Sequence, residues 1–336
     1  MAKHLFHGKF FSLGFTLGDG QAKKLPPAPC THNCGMTNLP PLPCYLNGNF
    51  TTVDKAQVSV LDRGFIFGDG IYEVVPVYRG QPFRLSQHLA RMTRSLAEVR
   101  ITTGLSDQDW RAIIQTLLAQ HSQMNPELGA TADQLVYIQV TRGVAMRDHV
   151  MPAGLAPTIF VMVNAMKQPS AHERAKGVAC ITANDFRWER AHIKSTSLLG
   201  AVFARQLSYD AGAAETVMFR NGFLSEAAAC NVWVVKDGKV SGTPKDHLVL
   251  EGIRYGLMQE LCAEQGIEWS LRRISRDEVF AADELLLSSA TKEVLAITQL
   301  DGKAVGTGRP GPIYQRLFDA YQVAKSRAPA AEKAQP

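Results

Sequence analysis

The sequence predicts an α+β fold in two blocks, and three observations carry that reading. Pairs of β-rich runs are joined by two-residue turns such as Asn47-Gly48, Asn221-Gly222 and Asp237-Gly238. Amphipathic helical stretches are interspersed among these hairpins, with no regular alternation of strand and helix of the kind that builds a parallel sheet. A short polar segment at 165–170, "AMKQPS", separates an earlier set of elements from a later one and reads as an interdomain link. The expected boundaries are a small domain over 44–164, the link, a larger domain over 171–325 and a disordered tail over 326–336.

In chain order, residues 1–43 stand apart. "LPPAPCTHNCGMTNLPPLPC" is rich in proline and polar residues, so this segment reads as a disordered extension or the product of an upstream start, with Met36 as an alternative start. "CYLNGNFTTV" and "GIYEVVPVYRGQPFRL" read as hairpins. "SQHLARMTRSLAEVRI" is a helix with Leu89, Met92, Leu96 and Val99 as its apolar stripe, and Ser106 is the expected N-cap of the next one. "QLVYIQVTRG" and "PTIFVMVNAM" are strands on either side of a polar loop. In the second block "ACITANDFRW" alternates as a half-buried strand, and Leu198, Leu199, Val202, Phe203 and Leu207 recur at helical spacing. "ETVMFRNGFLSE" and "NVWVVKDGKVSG" are hairpins, and "GIRYGLMQELCAEQG" is a helix.

Composition narrows the class. Of 336 residues, 46% are hydrophobic and 20% charged, and the net charge of +5 is spread without a Lys/Arg run. These values fit a globular protein and point away from a nucleic-acid surface. No apolar stretch nears the roughly 20 residues that span a bilayer, so no membrane partner is expected. The six cysteines form no secreted disulfide framework and are expected as reduced thiols in a cytoplasmic protein. Cys30, His32 and Cys34 lack a second ligand pair, so no metal is expected.

Chemistry centres on "ERAHIKSTSLLG", where Lys194 sits between a strand and a helix. A lysine there is either a surface cation near hydroxyl N-cap candidates Ser195, Thr196 and Ser197, or a pocket amine able to form a Schiff base. Four other features bear on the choice. Glu226 lies in "FLSEAAACN", Arg91 beside His88 in "HLARM", Gly252 at a helix start in "LEGIR", and Thr291 in "SSAT". Backbone N–H groups at a helix start can hold a phosphate.

"LDRGFIFGDGIYEVV", "HLARM", "IKSTSLLGAVFAR", "SEAAACNVWVV" and "LEGIR" together resemble, in order and spacing, the fold-type IV pyridoxal-phosphate enzymes, over about Tyr45 to Phe318. The D-amino acid aminotransferases are the members most similar in pattern. The resemblance implies a smaller N-terminal α/β domain, a larger domain with a pseudo-barrel of strands, pyridoxal 5′-phosphate as cofactor, and a homodimer. It implies Lys194 as the Schiff-base lysine and Glu226 as the partner of the pyridinium nitrogen. Arg91, Ile253, Arg254, Ala290 and Thr291 fall at the phosphate, and Leu198 and Leu199 below the ring. Tyr72 and Glu73 fall near the substrate, and Arg147 and His149 form the trap for the substrate α-carboxylate. Two positions depart from the pattern. Arg254 stands where several relatives carry threonine, which leaves a contact there to backbone N–H alone, and Ala290 replaces a threonine of some relatives. The implied reaction is transfer of an amino group between a D-amino acid and a 2-oxo acid. Branched-chain L-amino acid or (R)-amine transamination, and an aminodeoxychorismate-type lyase, are the alternatives.

Overall fold

The computed structural model describes residues 41–128 and 132–331. The expected N-terminal extension up to residue 40, the Cys30-His32-Cys34 cluster, the alternative start at Met36 and residues 332–336 lie outside the described residues.

Six strands form the first sheet: β1 (Pro43–Leu46), β2 (Asn49–Thr52), β3 (Gly70–Tyr78), β4 (Gln81–Pro82), β5 (Gln134–Thr141) and β6 (Thr158–Ala165). Their order is β2-β1-β6-β5-β3-β4, and every pairing is antiparallel. Along β5, Val136, Ile138 and Val140 alternate into the core, as a two-residue period requires. The helices of this half are α1 (Arg63–Phe67), α2 (Leu85–Glu98) and α3 (Asp107–Met124). Ser106 caps α3 in a reciprocal capping box with Asp109. The apolar stripe of α2 buries Leu85, Leu89, Met92 and Leu96 in one cluster with Ile71, Val75 and the face of α3.

The second sheet holds β7 (Val178–Asn184), β8 (Glu215–Arg220), β9 (Phe223–Ala227), β10 (Asn231–Lys236), β11 (Lys239–Gly242), β12 (Trp269–Leu271), β13 (Glu284–Ser289), β14 (Glu293–Leu300) and β15 (Lys303–Ala304). Its order is β12-β11-β10-β13-β14-β7-β8-β9, with β15 paired to β14. The helices here are α4 (Ala171–Lys176), α5 (Leu199–Asp210), α6 (Arg254–Glu264), α7 (Arg276–Phe280) and α8 (Pro312–Ala331). Residues 166–170 connect the two sheets.

The hairpin turns behave as their residues dictate. Asn47-Gly48, Asn221-Gly222 and Asp237-Gly238 all take positive φ at both positions, from 48° to 96°, the backbone of a type I′ turn. Two features differ from the sequence reading. Strand-helix-strand crossovers do occur, because β7 pairs in parallel with β8 across α5, and β11 with β12 across α6. Long, irregular connections from β7 to α5 and from β11 to α6 hide these units from a periodicity reading. The last helix also continues past residue 325 to Ala331, where a disordered tail was expected. Ile313, Tyr314, Leu317 and Tyr321 anchor it in the core of the second sheet.

Candidate active site

Both sheets open onto one cavity of about 1310 Å³, lined among others by Tyr72, Arg91, Lys194, Glu226, Arg254 and Thr291. Lys194 does not lie directly between a strand and a helix. It falls in the long connection from β7 to α5, and the chain from 194 to 196 pairs with the start of β3. Tyr72 donates its amide to the Lys194 carbonyl at 2.9 Å, and Thr196 donates to the Gly70 carbonyl at 2.9 Å. This pins the backbone of the lysine on a strand edge. Its Nζ stands 3.9 Å from the centroid of the Tyr72 ring. The neighbouring hydroxyls do not cap α5, whose N-cap is Leu198 without a side-chain bond. Thr196 and Ser197 instead donate to the Gly68 carbonyl, tying this segment to the end of α1.

Glu226, on β9, is buried and accepts from Arg187 Nη1 at 2.6 Å, Asn231 Nδ2 at 3.1 Å and the Leu250 amide at 3.3 Å. Burial lifts its carboxyl above the usual range, and the Arg187 guanidinium opposes that lift. Arg187 is in turn held by Asp185 through Nε and Nη2. Burial works against the Arg187 charge, but the two carboxylates keep it protonated.

A second charged group lines the other end. Arg91 Nε and Nη2 fork onto Glu73 at 2.7 Å each, and its Nη1 donates to the Glu251 carbonyl at 3.0 Å. His88 Nδ1 lies 2.8 Å from the same Glu73 carboxylate. Glu73 is completely buried, and Arg91 and His88 overcome the cost of burying it, holding its carboxyl far below the usual range. His88 is held down to about 4, first by burial and further by the Arg91 and Arg254 charges, against the pull of Glu73. The imidazole is therefore neutral near pH 7. Strand alternation separates Tyr72 from Glu73: Tyr72 lines the cavity, while Glu73 points away beneath α2 as the counter-ion of Arg91. Glu73 is not a substrate-facing residue.

Ile253, Arg254, Ala290 and Thr291 close the same end of the cavity. Ile253 is the N-cap of α6 and Arg254 its first residue. Among the described residues neither amide donates to a protein acceptor, so both N–H groups are open to an anion at a helix start.

These features suit group transfer through an amine. The family described as amino-transferase class IV matches residues 70–300. The chain belongs to the class IV aminotransferases. A D-alanine aminotransferase of Bacillus licheniformis is 35% identical over 82% of this chain and 94% of its own length. One from Staphylococcus haemolyticus is 31% identical over 82% and 95%. In fold, the aminotransferase is similar to a branched-chain aminotransferase of Thermoproteus uzoniensis, with TM-score 0.74, 20% identity, and 85% and 95% of the two chains covered. It is also similar to a T.th. branched-chain amino acid aminotransferase crystallised with pyridoxamine 5′-phosphate, with TM-score 0.77, 21% identity, and 88% and 98% covered. The fold is that of the fold-type IV aminotransferases.

Not every expected residue lies in the aminotransferase's cavity. Arg147 and His149 are exposed and do not line it; both pack on Phe67, with the guanidinium 5.4 Å from the ring centroid and the two rings 5.4 Å apart. Their loop is anchored by Arg63, whose Nη1 donates to the Asp148 carbonyl at 2.5 Å and whose Nε meets Asp69 at 2.8 Å, a carboxylate shared with Arg142. Leu198 and Leu199 line the cavity but remain open to solvent, Leu199 at 69%. Sequence reasoning missed Arg187 and Asn231. Arg187 lies seven residues before Lys194 in "FRWERAHIK" and Asn231 five after Glu226; no periodicity singles out either, and only the fold brings them to the carboxylate.

Proposed function

We propose that this aminotransferase uses pyridoxal 5′-phosphate to move an amino group between a D-amino acid of the D-alanine type and pyruvate or 2-oxoglutarate, in two half-reactions. The observation that carries the cofactor is the convergence on one cavity of an amine, a buried carboxylate and an open helix start. These three match the aldehyde, ring nitrogen and phosphate of that group. When bound, it supplies a carbonyl that condenses with amines and a ring that takes up electron density from the substrate α-carbon.

The protein's residues do the rest. Lys194 offers the amine that tethers the group and then carries the proton to and from the α-carbon. Glu226 would sit against the ring nitrogen and favour its protonated state, and Arg187 opposes the upward shift that burial imposes on the Glu226 carboxyl. The relation to the D-alanine aminotransferases supports the D-amino acid side of the reading.

Arg147 and His149 are the proposed carboxylate trap, acting in the cavity of a second copy. Their exposure and their absence from their own chain's cavity support this, as do the exposed apolar side chains Phe65, Met146, Val150, Leu199 and Phe203. A homodimer is the proposed assembly. The cytoplasm is the proposed compartment, in keeping with buried, unpaired Cys44, Cys180, Cys230 and Cys262.

A panel of D- and L-amino acids and (R)-amines, followed by the visible absorbance of the cofactor and completed with pyruvate or 2-oxoglutarate, tests the reading. D-alanine should change the spectrum and yield the transferred amine. A response confined to L-leucine or to an (R)-amine would refute it.

A further inference from the structure

We propose that Arg63, in the motif "DRGFIFGDG", is a positioning residue. It holds the Asp148 carbonyl and so sets where Arg147 and His149 stand to receive a carboxylate. The inference rests on the carboxylate-trap reading above and gives a role to a motif that the chemistry at Lys194 leaves unused.

The loop that carries the two side chains is fastened at its base and at one further point. At the base, Arg63 donates its amide to the Gly143 carbonyl at 2.9 Å, and Ala145 donates to the Leu61 carbonyl at 3.3 Å. Residues 146–155 are mostly exposed. Among the described residues, one hydrogen bond ties them to the rest of the chain, from Arg63 Nη1 to the Asp148 carbonyl at 2.5 Å. The Asp148 carboxylate stays within the loop, accepting from the Val150 amide at 3.0 Å. A donor on the Asp148 carbonyl fixes the plane of the peptide that leads into His149, one residue beyond Arg147. Segments held by so few bonds open readily, so the single tie governs where the loop rests.

Arg63 is spared for this task. Arg142 alone forks onto both oxygens of Asp69, with Nε at 2.8 Å and Nη2 at 2.9 Å, and matches its charge. The bond from Arg63 Nε to Asp69, at 2.8 Å, therefore orients a second guanidinium rather than neutralising the acid. Arg63 and Phe67 stand four residues apart on α1 and share a face. Arg63 Cζ lies 4.8 Å from the Phe67 centroid, and the same ring carries Arg147 and His149. The seat itself is fixed. Asp62 caps α1 and accepts from Thr158 Oγ1 at 2.5 Å, and a Cβ on Gly64 would lie 2.2 Å from Thr141 Cγ2.

The test uses the holoenzyme with D-alanine and with D-alaninol, which keeps the chiral carbon but replaces the carboxylate with an alcohol. Single-turnover absorbance gives the half-reaction, and steady-state rates separate KM from kcat. In Arg63→Met, KM for D-alanine should rise about ten- to a hundredfold with kcat largely kept, the scale of a misplaced charge-assisted contact. The D-alaninol rate should hold within about twofold, because no such contact is lost there. With Arg147→Ala and His149→Ala already in place, Arg63→Met should add less than about twofold, since residues acting as one unit are not additive. Arg63→Lys, which cannot serve Asp69 and Asp148 with one fork, should show a smaller loss confined to D-alanine. It carries the comparison if the methionine variant does not fold.

Equal losses for both substrates, or no loss for either, would make Arg63 a support of the fold alone and overturn the inference. A full further loss in the doubly substituted background would mean that Arg63 does not act through the loop, and would overturn it too. In each case a selective loss in Arg147→Ala would leave the trap standing. If Arg147→Ala weakens both substrates alike, the trap reading fails and this inference fails with it.

Discussion

Helices α2 and α5 both carry apolar residues at helical spacing and border the same cavity, but they end differently. On α2, Leu85, Leu89, Met92 and Leu96 are buried against the first sheet. On α5, Leu199, Val202, Phe203 and Leu207 are exposed, and the helix buries Ala204 and Ser208 against the second sheet instead. The α2 side is complete within one chain, down to the neutralised Glu73–Arg91 pair. The α5 side, which follows Lys194, is left open, as is the loop of Arg147 and His149. Amphipathic periodicity therefore reports that a helix face needs an apolar partner; it does not say whether that partner belongs to the same chain.

The largest effect is expected at the start of the open side. Lys194→Ala should fold and bind the cofactor weakly, with transamination reduced by orders of magnitude, because tether and proton carrier are lost together. Borohydride reduction and peptide mapping of the wild type should place the pyridoxyl label on Lys194. A label elsewhere would move the chemistry off this wall.

Next comes the loop. Arg147→Ala should lower kcat/KM for a D-amino acid by roughly one to several decades, through loss of a charge-assisted contact to the α-carboxylate. An (R)-amine without a carboxylate should be unaffected. Equal losses for both substrates would mean that the loop completes no cavity.

A paired substitution then tests the two helices directly. Met92→Ala on α2 should cost about 2–5 kcal/mol in denaturant unfolding, the usual effect of a cavity in a closed core. Phe203→Glu on α5, outside the cavity lining, should leave the circular dichroism spectrum unchanged and shift sedimentation to the mass of one chain. If the mass does not change, α5 faces no second copy and the contrast between the helices fails.

The smallest effect belongs to the closed side. His88 has a folded pKa near 4, below its unfolded value of about 6.5. The folded protein thus binds fewer protons between these values, and the unfolded state gains as pH falls. The His88 contribution is present above pH of about 6.5 and is lost toward 4, at most about 3 kcal/mol. Glu73, also depressed, adds to the loss below the ordinary glutamate range. His88→Asn should flatten the thermal midpoint against pH across that window; an unchanged slope would place the acid sensitivity elsewhere.

Much of this was legible before the fold. Asn47-Gly48, Asn221-Gly222 and Asp237-Gly238 named their hairpins, because few residues tolerate positive φ at two successive positions. Ser106 and the stripe of Leu89, Met92 and Leu96 named two helices for equally local reasons, and five motifs in order named the family and singled out Lys194. Glu73 shows where this ends. Its neighbour Tyr72 faces the cavity and it does not, a distinction made by the side of β3 on which α2 packs.

Local conformational preference and motif order were thus determined by the sequence alone, since turn, cap and periodicity act over a few residues. Tertiary structure decided what depends on partners distant along the chain. It brought Arg187 to Glu226 across 39 residues and Glu73 to Arg91 across 18. It paired β7 with β8 in parallel, exposed the stripe of α5, and left Arg254 buried without a carboxylate. The charge state of a buried group depends on which ions the fold places beside it, and no local signal in the chain carries that information.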